Sequence, residues 1–327
     1  MNLPKLVVVG QAVVTPTIKR EIHSGFEALF LKKSEFFSNA KHYIGESDVV
    51  WVHVDTPILS EMSGFFRDDH ILATTSTGTT HISKSIRQSL GSRLVTLKSQ
   101  VNLLQGITST SELAWAMVLS GLTGLVGSSR ETKQGKWDRM NHLRPKQVSS
   151  SEIGILGFGR LGKVTARYAR EVVSEIWVWD ILEEAREEAR LLGYKVPPHV
   201  EAMYGAVDAI SVHVNVGENE RAIIGLEQVK SFKPGMILVN TSRGILIDEH
   251  AIIWGIQHGR VSQYLTDVLS CEDDDSPIEE SRLWKFSHES DSVIITPHIG
   301  GASLDAMYKC EKNILCQIKS KLTELSL

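Results

Sequence analysis

Three cysteines, Cys271, Cys310 and Cys316, are all that the 327 residues contain, and no two of them share a CxxC or metal-ligand spacing. A disulfide framework and a cysteine-held metal are thereby excluded, and an odd number of thiols fits a reducing compartment. Cys271, although close to candidate site residues, reads as an ordinary reduced thiol. An excess of one charge is also missing. Thirty-nine acidic residues face 35 basic ones, giving a net charge of −4 with no basic block. That balance argues against nucleic acid or an anionic membrane as the main partner. The longest apolar stretch, Leu113 to Val126, is interrupted by Ser120 and Thr123 and is too short to span a bilayer. At the start, Met1-Asn2-Leu3-Pro4-Lys5 lacks a cationic segment and a cleavage site, so Leu6–Val9 reads as a first strand. The expectation is a soluble, cytoplasmic chain.

What is present is enough apolar residue, 42% of the chain, for two cores. Leu6–Val9, Val49–Val54 and Ile71–Thr75 read as strands separated by helical segments such as Thr17–Phe30. Alternation of this kind predicts a parallel sheet with helices on both faces. A second α/β series begins at Glu152. Strands are expected at Ile153–Leu156, Ile176–Trp179, Ala209–His213, Met236–Asn240, Ser262–Asp267 and Val293–Thr296, with helices at Leu161–Glu171, Glu183–Leu192 and Asp248–His258. That is the pattern of a doubly wound sheet. Between the two series, Leu113, Met117, Leu119 and Leu122 form a nearly all-apolar helix that needs cover on most sides. Packing within the fold and burial at a two-fold interface both account for it.

Gly157-Phe158-Gly159-Arg160-Leu161-Gly162 follows the expected strand Ile153–Leu156 and opens a helix. In this context Gly157 allows a tight turn, Gly159 lets a pyrophosphate approach the backbone, and Gly162 lets the helix pack on the sheet. The helix N-terminus, with its free N–H groups and dipole, then favours the phosphates. Asp180 stands 21 residues after Gly159, at the end of the next expected strand. A carboxylate there accepts from both ribose hydroxyls and repels a 2′-phosphate. Ile181 and Leu182 follow it with no adjacent arginine, so NAD is expected rather than NADP. A helix-capping role before Glu183 and Glu184 is compatible but leaves the spacing unexplained.

Three polar positions stand at or just beyond later strand ends: Arg243 in Asn240-Thr241-Ser242-Arg243-Gly244, Glu272 after Asp267-Val268-Leu269-Ser270-Cys271, and His298 in Thr296-Pro297-His298-Ile299-Gly300-Gly301. Parallel strands share one carboxyl edge, so these three can converge. Reduction of a 2-oxo acid needs a cation for the carboxylate, a role a forked guanidinium fills. It also needs a proton donor for the developing alkoxide, which suits histidine near neutral pH. A carboxylate beside the imidazole favours its charged form. Singly, each residue has a plain alternative: Arg243 a surface turn residue, His298 a satisfied core histidine, Glu272 one of the solvated acidic run from 272 to 275. Together they point to catalysis.

On these motifs the chain resembles the D-isomer-specific 2-hydroxyacid dehydrogenase family. The likeness extends from about Val50 to Ala306 and includes Ser76-Thr77-Gly78-Thr79-Thr80-His81-Ile82, the helix start at Ser111-Glu112-Leu113, Gly135-Lys136-Trp137 and Ile210-Ser211-Val212-His213-Val214. The resemblance implies Arg243, Glu272 and His298 as catalytic set. It implies an NAD site of Gly157, Gly159, Arg160, Leu161, Gly162, Asp180, Val214, Thr241, Asp267 and Gly300, with Asp267 facing the nicotinamide amide. Ser76, Thr77 and Gly78, with Arg243, would hold the substrate carboxylate. The implied architecture is two Rossmann-like doubly wound domains, with the NAD domain (104–301) inserted into a flavodoxin-like substrate domain (1–103 plus 302–327) that the last helix, near Ser303–Leu327, completes. The active site would lie in the cleft between the two domains.

Several positions depart from the family pattern. Gly78-Thr79-Thr80-His81-Ile82-Ser83 has lost two carboxylates, His213-Val214-Asn215 lacks the usual proline, and Glu272 is followed by Asp273. Val54-Asp55-Thr56-Pro57 lacks the arginine that phosphoglycerate enzymes commonly carry there, which argues against phosphoglycerate itself. The expected function is hydride transfer between NAD and C2 of a small 2-hydroxy or 2-oxo acid. The alternative is an NAD(H)-sensing, corepressor-like binding protein on the same fold. Expected partners are that small acid and a second copy of the chain through the helix near 111–126, with no metal, nucleic acid or membrane.

Overall fold

The computed structural model describes residues 3–79, 81–215, 221–272 and 277–325. Thr80, the acidic run from 273 to 275 and the end of the expected last helix at 326–327 thus lie outside the described residues. The chain folds as two compact units, one of residues 1–107 with 302–327 and the other of residues 108–301.

Among the described residues, the first unit contains five parallel strands: β1 (Lys5–Val9), β2 (Glu27–Leu31), β3 (Val49–Val52), β4 (Ile71–Thr74) and β5 (Leu94–Val95), in the order β2-β1-β3-β4-β5. Leu6 to Val9 and Val49 to Val52 are buried without alternation, as strands covered on both faces must be. Ile18 and Ile22 cover one face together with Ile314, Leu315 and Ile318 from the closing helix Leu304–Leu325. Phe36, Ile44, Ile58, Ile86 and Leu90 cover the other. Glu311, buried on that closing helix, accepts from the backbone N–H groups of Val14 (2.8 Å) and Thr15 (3.2 Å) and from the Thr15 hydroxyl. Its negative charge therefore sits at the start of the helix Pro16–Gly25, where the backbone dipole welcomes it.

One expectation is corrected here, and one strand had no counterpart in the sequence reading. The segment Thr17–Phe30 is not one helix: it stops at Gly25, and Glu27–Leu31 becomes the edge strand β2. Only Leu31 of its five residues is buried, so it lacks the fully buried run that marks its neighbours. The two-residue β5 is too short to leave a pattern.

The second unit contains, among the described residues, six parallel strands: β6 (Glu152–Leu156), β7 (Glu175–Trp179), β8 (Ala209–Val212), β9 (Met236–Asn240), β10 (Val261–Thr266) and β11 (Val293–Ile295), in the order β11-β10-β9-β8-β6-β7. A parallel bridge from Trp177 to Lys195 extends the sheet beyond β7, so the third strand of the usual dinucleotide-binding order is reduced to a single residue. The order reverses between β6 and β8.

The apolar helix runs from Ser109 to Thr123 and ends at Gly124, whose φ of 66° is left-handed. A new helix, Leu125–Lys133, follows. Met117 and Val118 of the first helix pack into the core with Ile153, Ile237 and Leu265. At Gly121 a Cβ would stand 2.6 Å from the Ile237 side chain, so helix and sheet meet nearly backbone to side chain. Packing inside the unit therefore accounts for the buried face of this helix. The exposed apolar side chains lie just downstream: Leu125, Trp137 (90% exposed), Met140 and Leu143.

Candidate active site

The three fingerprint glycines answer to three different constraints. Gly157 turns the chain at φ 95°, and a Cβ there would lie 2.7 Å from the His213 backbone carbonyl. Gly162 lies so close under the loop that a Cβ would come 2.1 Å from the Gly157 oxygen. Over Gly159, by contrast, a Cβ would meet no protein atom within 4 Å, and no side chain caps the helix Arg160–Ala169 that it opens. The protein itself thus does not require glycine at 159, whereas an approaching phosphate does. Leu161 is fixed from behind, its carbonyl accepting from Ser111 Oγ at 3.0 Å.

Asp180 directly follows β7 and accepts from Phe158 N–H at 2.7 Å and from Leu182 N–H at 2.9 Å. It thereby ties the glycine loop to the neighbouring strand, while its carboxylate retains lone pairs for ribose hydroxyls. Arg186 is a participant that sequence spacing did not suggest. It donates to the Asp180 carbonyl at 2.6 Å, pairs with Glu183, and stacks over Trp179 with 4.8 Å between guanidinium and ring centroid. Thr241 is buried, and its hydroxyl has no hydrogen-bond partner among the described residues. An orphaned hydroxyl is costly unless a ligand completes it. The free space at Gly159, the uncapped helix and this hydroxyl together fit a dinucleotide. Val214 is half-buried after β8. Beneath Gly157, His213 bonds Ser211 Oγ at 2.9 Å, and burial pushes its pKa down to about 4, so it is a neutral imidazole.

Asp267, at the end of β10, is 1% exposed. Its carboxylate accepts from Ile299 N–H (2.8 Å), Gly300 N–H (2.7 Å) and the Thr296 hydroxyl, while its carbonyl accepts from His298 N–H at 3.0 Å. Its observed contacts therefore fasten the loop that carries His298. Gly300 lies against it, with a Cβ position only 3.0 Å from Asp267 Oδ2. His298 is the one non-glycine residue with positive φ among the described residues, at 51°.

His298 Nδ1 lies 2.6 Å from Glu272 Oε2. The other carboxylate oxygen, Oε1, accepts from Leu269 N–H, also at 2.6 Å. The hydrogen bond to Glu272 raises the imidazole pKa above its ordinary value against the opposing effects of burial and the Arg243 charge. Arg243 donates to the Ser242 carbonyl at 2.7 Å, and Asn240 Nδ2 to the Arg243 carbonyl at 2.9 Å. At Gly244 a Cβ would overlap the Leu269 backbone at 2.0 Å. The Arg243 turn and the Glu272 turn are thus in direct backbone contact, which holds all three groups together. In the first unit, Ser76, Thr77 and Gly78 follow β4, and Ser76 Oγ accepts from Gly78 N–H at 3.1 Å.

Comparison with known proteins gives the same direction. Residues 115–300 match the model of the D-isomer specific 2-hydroxyacid dehydrogenase, NAD binding domain. The hydroxypyruvate reductase of Thermotoga maritima is 32% identical over 198 residues, 61% of this chain and 61% of its own length. The D-3-phosphoglycerate dehydrogenase of Archaeoglobus fulgidus is 29% identical over 198 residues, with 36% of its length covered. The chain thus spans less than two thirds of the length of these relatives. The D-lactate dehydrogenase structure from Aquifex aeolicus, complexed with NAD and lactic acid, superposes with a TM-score of 0.79 at 18% identity, covering 98% of this chain and 96% of that one. Among the described residues, no helix is long and apolar enough to cross a membrane.

Proposed function

The chain belongs to the D-isomer specific 2-hydroxyacid dehydrogenase family, and from that premise we propose that it interconverts a small 2-oxo acid and the D-2-hydroxy acid with NAD. The observation that carries the reading is the 2.6 Å contact of His298 Nδ1 with Glu272, beside the turn of Arg243. With Nδ1–H donated to the carboxylate, Nε2 is left to exchange a proton. When bound, the dinucleotide supplies or accepts the hydride at C2. The loop 157–162, Asp180, Val214 and Thr241 would hold it.

The rest of the chemistry belongs to side chains of this chain. The Arg243 guanidinium pairs with the substrate carboxylate and polarises the 2-oxo group. As negative charge develops on the oxygen, His298 Nε2–H delivers its proton there, and Glu272 stabilises the imidazolium until the proton leaves. Half-exposed, the His298 side chain then regains a proton from solvent. In the reverse direction the neutral imidazole takes the hydroxyl proton. We assign Ser76, Thr77 and Gly78 of the first unit to substrate binding, and with them residues 1–107 with 302–327 as the substrate unit and 108–301 as the NAD unit. The name of the Thermotoga maritima relative makes hydroxypyruvate the first candidate, with glyoxylate beside it as a small 2-oxo acid. Three thiols without a disulfide suit a cytoplasmic setting.

We also infer a homodimer; the helix near 111–126 packs one face into its own unit's core, so the contact is assigned to the exposed apolar side chains just after it, Leu125, Trp137, Met140 and Leu143. The deciding experiment for the activity is a panel of glyoxylate, hydroxypyruvate and 2-oxoglutarate with NADH. Oxidation of NADH by at least one is expected, and the product from hydroxypyruvate or 2-oxoglutarate should be D-configured on chiral chromatography, glycolate being achiral. Tight NADH binding without turnover across the panel would overturn the reading.

A further inference from the structure

Behind Glu272, a second carboxylate of the same unit grips the segment that carries it. Asp248 caps the helix Glu249–Gln257, its side chain accepting from His250 N–H and Ala251 N–H, so Glu249 is not needed for that task. Its oxygens face two turns instead. Oε1 accepts from the Ser270 hydroxyl at 2.8 Å, and Oε2 accepts from Leu283 N–H at 3.0 Å. The Ser281 hydroxyl lies 3.1 Å from both oxygens. Ser281 in turn caps the helix Arg282–Ser287, accepting from Trp284 N–H at 3.1 Å. One carboxylate thus joins position 270, two residues before Glu272, to positions 281 and 283. Support of that cap accounts for the contacts with Ser281 and Leu283 but leaves the bond from Ser270 without a purpose.

The opposite side of the Glu272 turn is also fixed. A Cβ on Gly244 would come 2.0 Å from the Leu269 carbonyl carbon and 2.2 Å from Ser270 N. The turn Ser270–Glu272 is therefore clamped between the Arg243 turn and Glu249. We propose that Glu249 is a positioning residue for the reaction: by holding Ser270 it sets where the Glu272 carboxylate stands against His298 Nδ1. The inference rests on the dehydrogenase reading above and adds a residue to its machinery. A hydrogen bond to an ionised carboxylate is about twice as strong as a neutral one, which suits a tether of this kind. The charges that bear most on His298 are those of Glu272, Arg243 and Asp267. Glu249 reaches the imidazole through the place of Glu272 rather than through its own charge.

The variants separate holding from capping. Ser270→Ala removes only the bond to the Glu272 turn, whereas Ser281→Ala removes the cap and leaves Ser270 in place. With NADH and hydroxypyruvate, Ser270→Ala and Glu249→Ala should each lower kcat by about tenfold or more, the scale of a misplacement below 1 Å, with both KM values nearly unchanged. Ser281→Ala should lower Tm and keep kcat near wild type. Glu249→Gln should restore most of the kcat lost in Glu249→Ala, because its amide oxygen accepts from Leu283 N–H while its N–H donates to Ser270 Oγ. A loss of kcat in Ser281→Ala with none in Ser270→Ala would overturn the proposal in favour of capping.

A second readout does not need turnover. The His298 Cε1–H signal, assigned by its absence in His298→Asn, is titrated by NMR in the protein without NADH. Its midpoint should lie above the ordinary 6.5 in the wild type and fall toward that value in Ser270→Ala and Glu249→Ala. If Glu249→Ala does not fold, Ser270→Ala decides. A midpoint and kcat that stay at wild-type values in Ser270→Ala would sink the positioning role and leave the dehydrogenase reading intact. A fallen midpoint, in a wild-type protein that turns over no 2-oxo acid, would keep Glu249 as the holder of Glu272 and sink the catalytic reading.

Discussion

His298 carries its imidazole on a backbone with φ 51°, a conformation that costs a non-glycine residue about 1–2 kcal/mol and that asparagine tolerates better than most. The Asp267 carbonyl and carboxylate hold that turn in place. His298→Asn therefore removes the acid while respecting the backbone. It should lower kcat by roughly 10²-fold or more with NADH affinity nearly unchanged; wild-type turnover would remove His298 from the reaction. Glu272 raises the His298 pKa above the ordinary 6.5, so the imidazolium persists to higher pH than a free histidine would allow. The stabilisation of the folded state by this pair is complete below the free imidazole pKa and is lost as pH rises through the raised one. Activity in the reducing direction should fall over the same upper limb. In Glu272→Gln that limb should move to lower pH, as a kcat/KM profile would reveal, and a limb that stays put would assign it to another group.

The glycine loop makes its prediction at the level of the strand–helix joint. Gly162→Ala would push a methyl into the Gly157 carbonyl and should cost about 1–3 kcal/mol or more in overpacking, read as a lower Tm together with weaker NADH binding. Unchanged binding would mean that the loop geometry does not set affinity. These joints were also the most legible part of the sequence, because strand, glycine spacing and the Asp180 position are all written in local pattern. Arg243, Glu272 and His298 stand out in the sequence because each comes shortly after an apolar strand at the shared carboxyl edge. What stayed hidden was local without being periodic. Arg186 reaches back six residues to a carbonyl, and Asp267 spends its carboxylate on backbone N–H groups; neither leaves a compositional trace. The exposed edge strand β2 and the left-handed break at Gly124 were lost for the same reason.

For the molecule as a whole, the exposed Trp137, Met140 and Leu143 predict association. Trp137→Glu should convert a dimer to monomer in sedimentation velocity, with the fold retained by circular dichroism; a wild-type monomer would end that proposal. The course of the chain has a second consequence. The second unit is one continuous segment, 108–301, whereas the first is split, and its sheet is covered only when Ile314, Leu315 and Ile318 arrive and Glu311 reaches Thr15. At about 5–20 residues per second of synthesis, the first strand waits roughly 15–60 s on the ribosome for the helix that covers it. During that interval the nucleotide unit can already be folded, while β1 and β3 still show an apolar face to the cell. The first unit is therefore the half whose apolar face stays uncovered longest during synthesis.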